Sequence, residues 1–143
     1  MIIDTTYLLP LAKISVPVDL FDDILKGRVN IDISSLSVNL ISIFELQAKA
    51  AKLNIPHQHV LRAVSFIMRY LRVINFWDEE IIRISFELRK FLPDYIDCVI
   101  LATSIQYNET LLTEDSRIHE TKKYIKETYG AEVISYSELL EKT

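Results

Sequence analysis

The sequence predicts a three-layer α/β/α sandwich around a mainly parallel, five-stranded sheet. Short apolar runs alternate with helical periods along the whole chain, and no hairpin turn signal joins successive strands. Strands separated by helices pair in parallel through right-handed crossovers. The size also fits: 143 residues, half hydrophobic and a quarter charged, suffice for one domain with a real core, taken as 1–143. With only two glycines, the connections are expected to be short.

The elements follow in order. "MII" (1–3) reads as a strand buried on both faces. "TYLLPLAKI" (6–14) reads as a short helix that Pro10 limits or kinks. "VDLFDDILKG" (18–27) places Leu20, Ile24 and Leu25 on one face and stops at Gly27. "SVNLI" (37–41) is a second strand, after which Ser42 opens the helix 43–54. The helix 57–72 carries a stripe of Leu61, Val64, Met68 and Leu71. "VINF" (73–76) is a third strand, and Asp78 caps the helix 79–92 ahead of Pro93. "YIDCVILATSIQYN" (95–108) is apolar on nearly every side, as a central buried helix is. "TLLT" (110–113) is a fourth strand, 119–130 a helix ending at Gly130, 132–135 a fifth strand and 136–142 a last helix. No repeat, low-complexity tract or linker interrupts this pattern.

Composition excludes several classes. No apolar run approaches the roughly 18 residues that span a bilayer, and no cationic segment followed by an apolar one marks a targeting signal. The single cysteine, Cys98, cannot form an internal disulfide, so a reducing cytoplasm is expected. A net charge of −4 argues against a generic polyanion binder but leaves room for a local basic patch.

In parallel sheets, functional residues collect at the C-terminal ends of the strands. Asp4 ends the first strand, and Glu45 is expected in the first turn of the helix after the second. Asp97 lies in the first turn of the buried helix, with Asp94 one turn earlier, and Asp115 follows the fourth strand. Each acid has a plain structural reading. "SIFE" (42–45) fits a capping box, Asp94 an N-cap, Asp115 a turn residue, and Asp4 a cap of the first helix. Asp97 could serve the helix dipole, but its neighbours are apolar, and a buried acid there needs a partner. Their joint placement on one edge is harder to explain that way. Like charges held together raise one another's pKa. No adequate set of Lys or Arg lies near these motifs, and the usual remedy is Mg²⁺ or Mn²⁺.

Three blocks, "IIDTTYLLPL" (2–11), "VNLISIFELQAKA" (38–50) and "YIDCVILATSIQYNETLLTEDSRI" (95–118), resemble the conserved blocks of PIN-domain ribonucleases, the group that includes the VapC-type toxins. The resemblance covers essentially the whole chain. It implies an acidic quartet of Asp4, Glu45, Asp97 and Asp115 around Mg²⁺ or Mn²⁺. It assigns Thr6 to the hydroxyl position that supports the first acid or a metal-bound water, and Thr113 to the Thr that precedes the last acid. Ser42 is then mainly a helix cap, and Asp94 an accessory acid. Asn108 and Ile118 stand where many members have Gly and Phe; Asn tolerates the left-handed backbone and Ile is another apolar anchor. The resemblance further implies metal-dependent hydrolysis of RNA to 5′-phosphate and 3′-hydroxyl ends, a homodimer and, for a toxin, a cognate antitoxin.

A polyanionic substrate also needs cations at the rim. Arg117, Lys122 and Lys123 follow Asp115, with Arg117 closest; a solvated helix face explains the lysines equally well. His57 and His59 do not share a helix face, which argues against a zinc pair. Cys98 is expected in the core, and Phe76 and Trp77 to pack or line a surface rather than stack bases. "FIMRYL" (66–71) fits a partner surface or a thick core layer. A phosphorylatable receiver needs paired acids after strand one, and a haloacid-dehalogenase-like phosphatase needs Asp-x-Asp; the chain reads Asp-Thr-Thr. A PIN fold serving as a binding scaffold with little nuclease activity is the remaining alternative.

Overall fold

A computed structural model describes every residue, Met1–Thr143. Five strands, β1 (Ile2–Ile3), β2 (Ser37–Asn39), β3 (Arg72–Ile74), β4 (Leu111–Leu112) and β5 (Val133–Ile134), form one sheet in the order β3-β2-β1-β4-β5. Every pair is parallel, and Ile2 sits opposite both Ser37 and Leu111. Alternate residues point to opposite faces of a strand. Ile3, Val38, Leu112 and Ile134 accordingly enter one core, while Ile2, Ile74, Leu111 and Val133 enter the other. Those two cores separate the three layers expected.

The first core is covered by a 3-10 helix (Thr5–Ala12), α1 (Leu20–Leu25), α2 (Leu40–Lys52) and α3 (His57–Tyr70). The second lies under α4 (Glu79–Leu88), α5 (Tyr95–Tyr107), α6 (Ser116–Glu120) and α7 (Lys122–Tyr129). α8 (Tyr136–Lys142) returns to the first face through Tyr136 and Leu139. No helix is long and apolar enough to cross a membrane.

Several local expectations change. The segment after β1 is a 3-10 helix rather than an α-helix; it contains Pro10 and ends on Lys13 in the left-handed region. A second 3-10 turn, Ile33–Ser35, was not foreseen. In α1, Leu20 is buried but Leu25 is 78% exposed, so the two do not share the inner face. Strands β2 and β3 are shorter than expected, and helix α4 ends at Leu88. On α3, Leu61 and Met68 face solvent, and Ala63 and Ile67 are buried instead. Ala63, though small, is buried in the first core, and a reading weighted towards large apolar residues overlooks it. The helix expected over 119–130 is two, broken at Thr121, whose hydroxyl donates to Ile118 O at 2.7 Å. Gly130 closes α7 at φ 71°, and Asn108 closes α5 at φ 51°, as a left-handed cap requires.

Candidate active site

The strand order reverses at β1, between β2 and β4, and a crevice opens at the C-terminal ends there. Asp4 leaves β1 as the N-cap of the 3-10 helix, its Oδ1 accepting the Thr5 N–H at 2.6 Å. Its Oδ2 accepts from Thr113 Oγ1 at 2.6 Å, just past β4. Thr113 Oγ1 in turn accepts the Asp115 N–H at 3.1 Å, tying two strand ends together. Asp115 is the N-cap of α6; Oδ1 accepts from the N–H groups of Arg117 (2.9 Å) and Ile118 (3.0 Å). Asp94 caps α5 through the Ile96 N–H at 2.8 Å, and Asp97 lies one turn on. Glu45 projects from the second turn of α2.

Asp4, Glu45, Asp94, Asp97 and Asp115 line one cavity of about 330 Å³. Thr5, Thr6, Leu9, Lys49 and Glu114 complete its wall. The acids come from segments far apart in sequence, and only the folded sheet unites them. Burial drives the Asp4 carboxyl up to about 6; hydrogen bonds from Thr113 and Thr5 pull it down, and the Glu45 and Asp115 carboxylates push it up. Burial likewise raises Asp97, to about 7, with further repulsion from Asp115, Asp94, Asp4 and Glu45. Asp97 accepts no hydrogen bond from the protein to offset this.

The donor set is all oxygen, which suits Mg²⁺ or Mn²⁺. The buried Thr5 hydroxyl has no partner and adds a further oxygen at the wall. As the side chains stand, no three acids, histidines or cysteines are close enough together to enclose an ion directly. Mg²⁺ keeps several of its waters, so carboxylates at this spacing can share it through them. The residues present therefore fit a hydrated divalent ion.

Other sequence-derived roles need correction. Ser42 does not cap α2. Asn39 does, accepting the Ile41 N–H at 2.9 Å, and Ser42 is a fully buried interior residue whose hydroxyl has no partner. The capping box with Glu45 is therefore absent, and Glu45 is free to line the cavity. Thr6 lines the cavity but makes no side-chain hydrogen bond to Asp4; Thr113 and the Thr5 N–H do. Lys122 is engaged by Glu138 at 2.8 Å, and Lys123 approaches Glu127 at 4.0 Å. Both line a different cavity, beside α7, and Arg117 lies outside the acidic one.

Two charged wall residues, Glu114 and Lys49, are not marked by the sequence reading. Glu114 accepts from the buried Tyr7 hydroxyl at 2.9 Å and from the Tyr136 N–H at 2.8 Å. Lys49 lies one helical turn beyond Glu45, and that i, i+4 spacing was the available signal. Lys49 is the one cation among six carboxylates of the cavity wall, too few to neutralise them.

A family model described as PIN domain matches residues 1–124. No match was found among curated proteins. Among solved structures, the chain is similar to a toxin–antitoxin complex from Klebsiella pneumoniae (20% identity, 91% of this chain and 93% of that one, TM-score 0.57). It is also similar to VapBC2 from Rickettsia felis bound to a promoter DNA fragment (18%, 94% and 97%, 0.63). A third is FitAcB from Neisseria gonorrhoeae (18%, 93% and 95%, 0.61). At these identities the likeness is one of fold.

Proposed function

The chain belongs to the PIN domain family, a family of nucleases, and on that premise we propose that it is a Mg²⁺- or Mn²⁺-dependent endoribonuclease and the toxin of a toxin–antitoxin pair. One observation carries the reading: Asp4, Glu45, Asp97 and Asp115 converge on a single cavity, where burial, with repulsion among the acids added, raises Asp4 and Asp97. Carboxylates in that state favour a divalent cation.

The quartet would hold the ion, with Asp94 as an accessory acid. When bound, the ion supplies charge neutralisation at the scissile phosphate and a water acidic enough to attack near neutral pH. The protein's part is to orient. Thr113 fixes Asp4, and two backbone N–H groups fix one oxygen of Asp115 and leave the other uncommitted. No protein nucleophile is required. The Cys98 thiol is buried, raised to about 11 and turned to Leu92 O. In-line attack by water leaves 5′-phosphate and 3′-hydroxyl ends. The toxin reading also includes an antitoxin partner and a homodimer; the toxin–antitoxin relatives and exposed Phe44, Leu61 and Met68 support an associating surface.

The test is cleavage of a panel of RNAs with Mg²⁺ or Mn²⁺. Asp4→Asn and Asp97→Asn proteins, folded by circular dichroism, are expected to lose at least ~100-fold in rate. Cleavage that persists in EDTA, or in both variants, overturns the mechanism. Induced expression in a bacterial host tests the toxin role: growth arrest with the wild type and normal growth with Asp97→Asn are expected.

A further inference from the structure

Six carboxylates and one cation line the acidic cavity, and the cation is Lys49. Its position four residues after Glu45 is the favourable order for a helical ion pair. The pair is nevertheless not closed, and Lys49 takes part in none of the nine ion pairs of the structure. Its side chain is exposed, so the ammonium can reach a ligand at the cavity mouth. The cations after Asp115 are worse placed, since Lys122 is held by Glu138 and Arg117 lies outside the cavity. A phosphodiester that approaches Asp4 and Asp97 brings negative charge into an acidic space. A lysine binds phosphate as a point charge and offsets that charge.

We propose that Lys49 is the substrate-positioning cation of the site and holds a backbone phosphate of RNA at the mouth of the acidic cavity. This rests on the ribonuclease reading, and it moves the substrate contact from α6 and α7 to α2.

Binding is measured by fluorescence anisotropy of a short fluorescein-labelled single-stranded RNA, with Ca²⁺ in place of Mg²⁺. Lys49→Ala is expected to weaken affinity about 5- to 10-fold at low salt and to reduce the slope of log affinity against log salt by about 0.7. Lys49→Arg retains both, and Lys122→Ala changes neither. In cleavage with Mg²⁺, Lys49→Ala raises KM and leaves kcat within about twofold. Unchanged affinity and slope in Lys49→Ala overturn the proposal, as does unchanged RNA affinity with tighter Mn²⁺ binding, which makes Lys49 a counter-ion of the acids. A wild-type protein that binds no RNA overturns both this proposal and the ribonuclease reading; binding that is indifferent to Lys49 overturns this one alone.

Discussion

Thr113 Oγ1 donates a hydrogen bond of 2.6 Å to Asp4 Oδ2. The same oxygen accepts the Asp115 N–H, so one hydroxyl registers two acids carried by neighbouring strands. Thr113→Val keeps the shape and removes both bonds. A buried carboxylate that loses one partner costs about 1–3 kcal/mol. The bond also holds the Asp4 pKa down, so its loss raises that pKa further above about 6. Protons then compete better with the metal. The half-saturating Mg²⁺ concentration for cleavage should rise on the order of tenfold at pH 6 and less at pH 8, while Thr113→Ser stays near wild type. Metal titrations of the cleavage rate at both pH values check this.

The raised acids predict an inverted pH dependence for the metal-free protein. Asp4 and Asp97 sit at about 6 and about 7 when folded, above the ordinary 3.8. Between about pH 4 and pH 7 the native state therefore holds more protons than the unfolded state, and stability falls as pH rises. The penalty is absent below about pH 4 and complete above about pH 7. Its size is on the order of 3 kcal/mol, because the two acids interact and do not add. Asp23, held below the usual carboxylate range by Tyr136 and Arg28, acts in the opposite sense only at more acidic pH. Thermal unfolding in EDTA should give a higher Tm at pH 5 than at pH 8. Added Mn²⁺ should raise Tm at pH 8 and do little at pH 5. An EDTA Tm that climbs steadily from pH 5 to pH 8 contradicts the site's electrostatics.

Glu114 is tied from two sides, by the Tyr7 hydroxyl and the Tyr136 N–H, and so steadies the segment that carries Asp115. Tyr7→Phe keeps the ring, packed 6.2 Å from that of Tyr136, and deletes one charge-assisted bond. The Tyr136 N–H remains to hold the carboxylate, so the loss should be limited to about 1–2 kcal/mol. Chemical denaturation measures it, with an unchanged m-value as the check that the fold is the same.

The sheet was legible because buried strands and helical periods leave different marks. Ile2 and Ile3 feed opposite cores, as a strand buried on both faces must. Asp4, Glu45, Asp97 and Asp115 were legible because acids at strand ends stand out against apolar neighbours. Side-chain pairing was not legible. Nothing in sequence spacing says that Thr113 bonds Asp4 across 109 positions, or that Thr5 and not Thr6 donates its N–H. Lys49 was passed over because an exposed lysine on a helix is ordinary until the fold turns it towards acids from three other segments. The stripe on α3 was legible in half: Val64 packs on the core and Leu71 is buried, but Leu61 and Met68 face solvent, and Ala63 and Ile67 take the buried positions between.

The helix that carries Glu45 supplies the sharpest stability test. A cap at Ser42 predicts that Ser42→Ala costs about 1 kcal/mol. In the structure Ser42 is interior and its buried hydroxyl lacks a partner, so Ser42→Ala removes an unsatisfied group and should be neutral or slightly stabilising. Asn39 carries the load instead. It is fully buried; its amide donates to Asn75 O (3.0 Å) and Thr103 Oγ1 (2.8 Å), and its carbonyl accepts the Ile41 N–H. Asn39→Ala therefore loses a cap and two links, one to the end of β3 and one to α5, at a cost of about 2–4 kcal/mol. Urea titrations of the two variants decide between the assignments. The reverse order, with Ser42→Ala the more damaging, would return the start of α2 to Ser42 and reopen the position of Glu45.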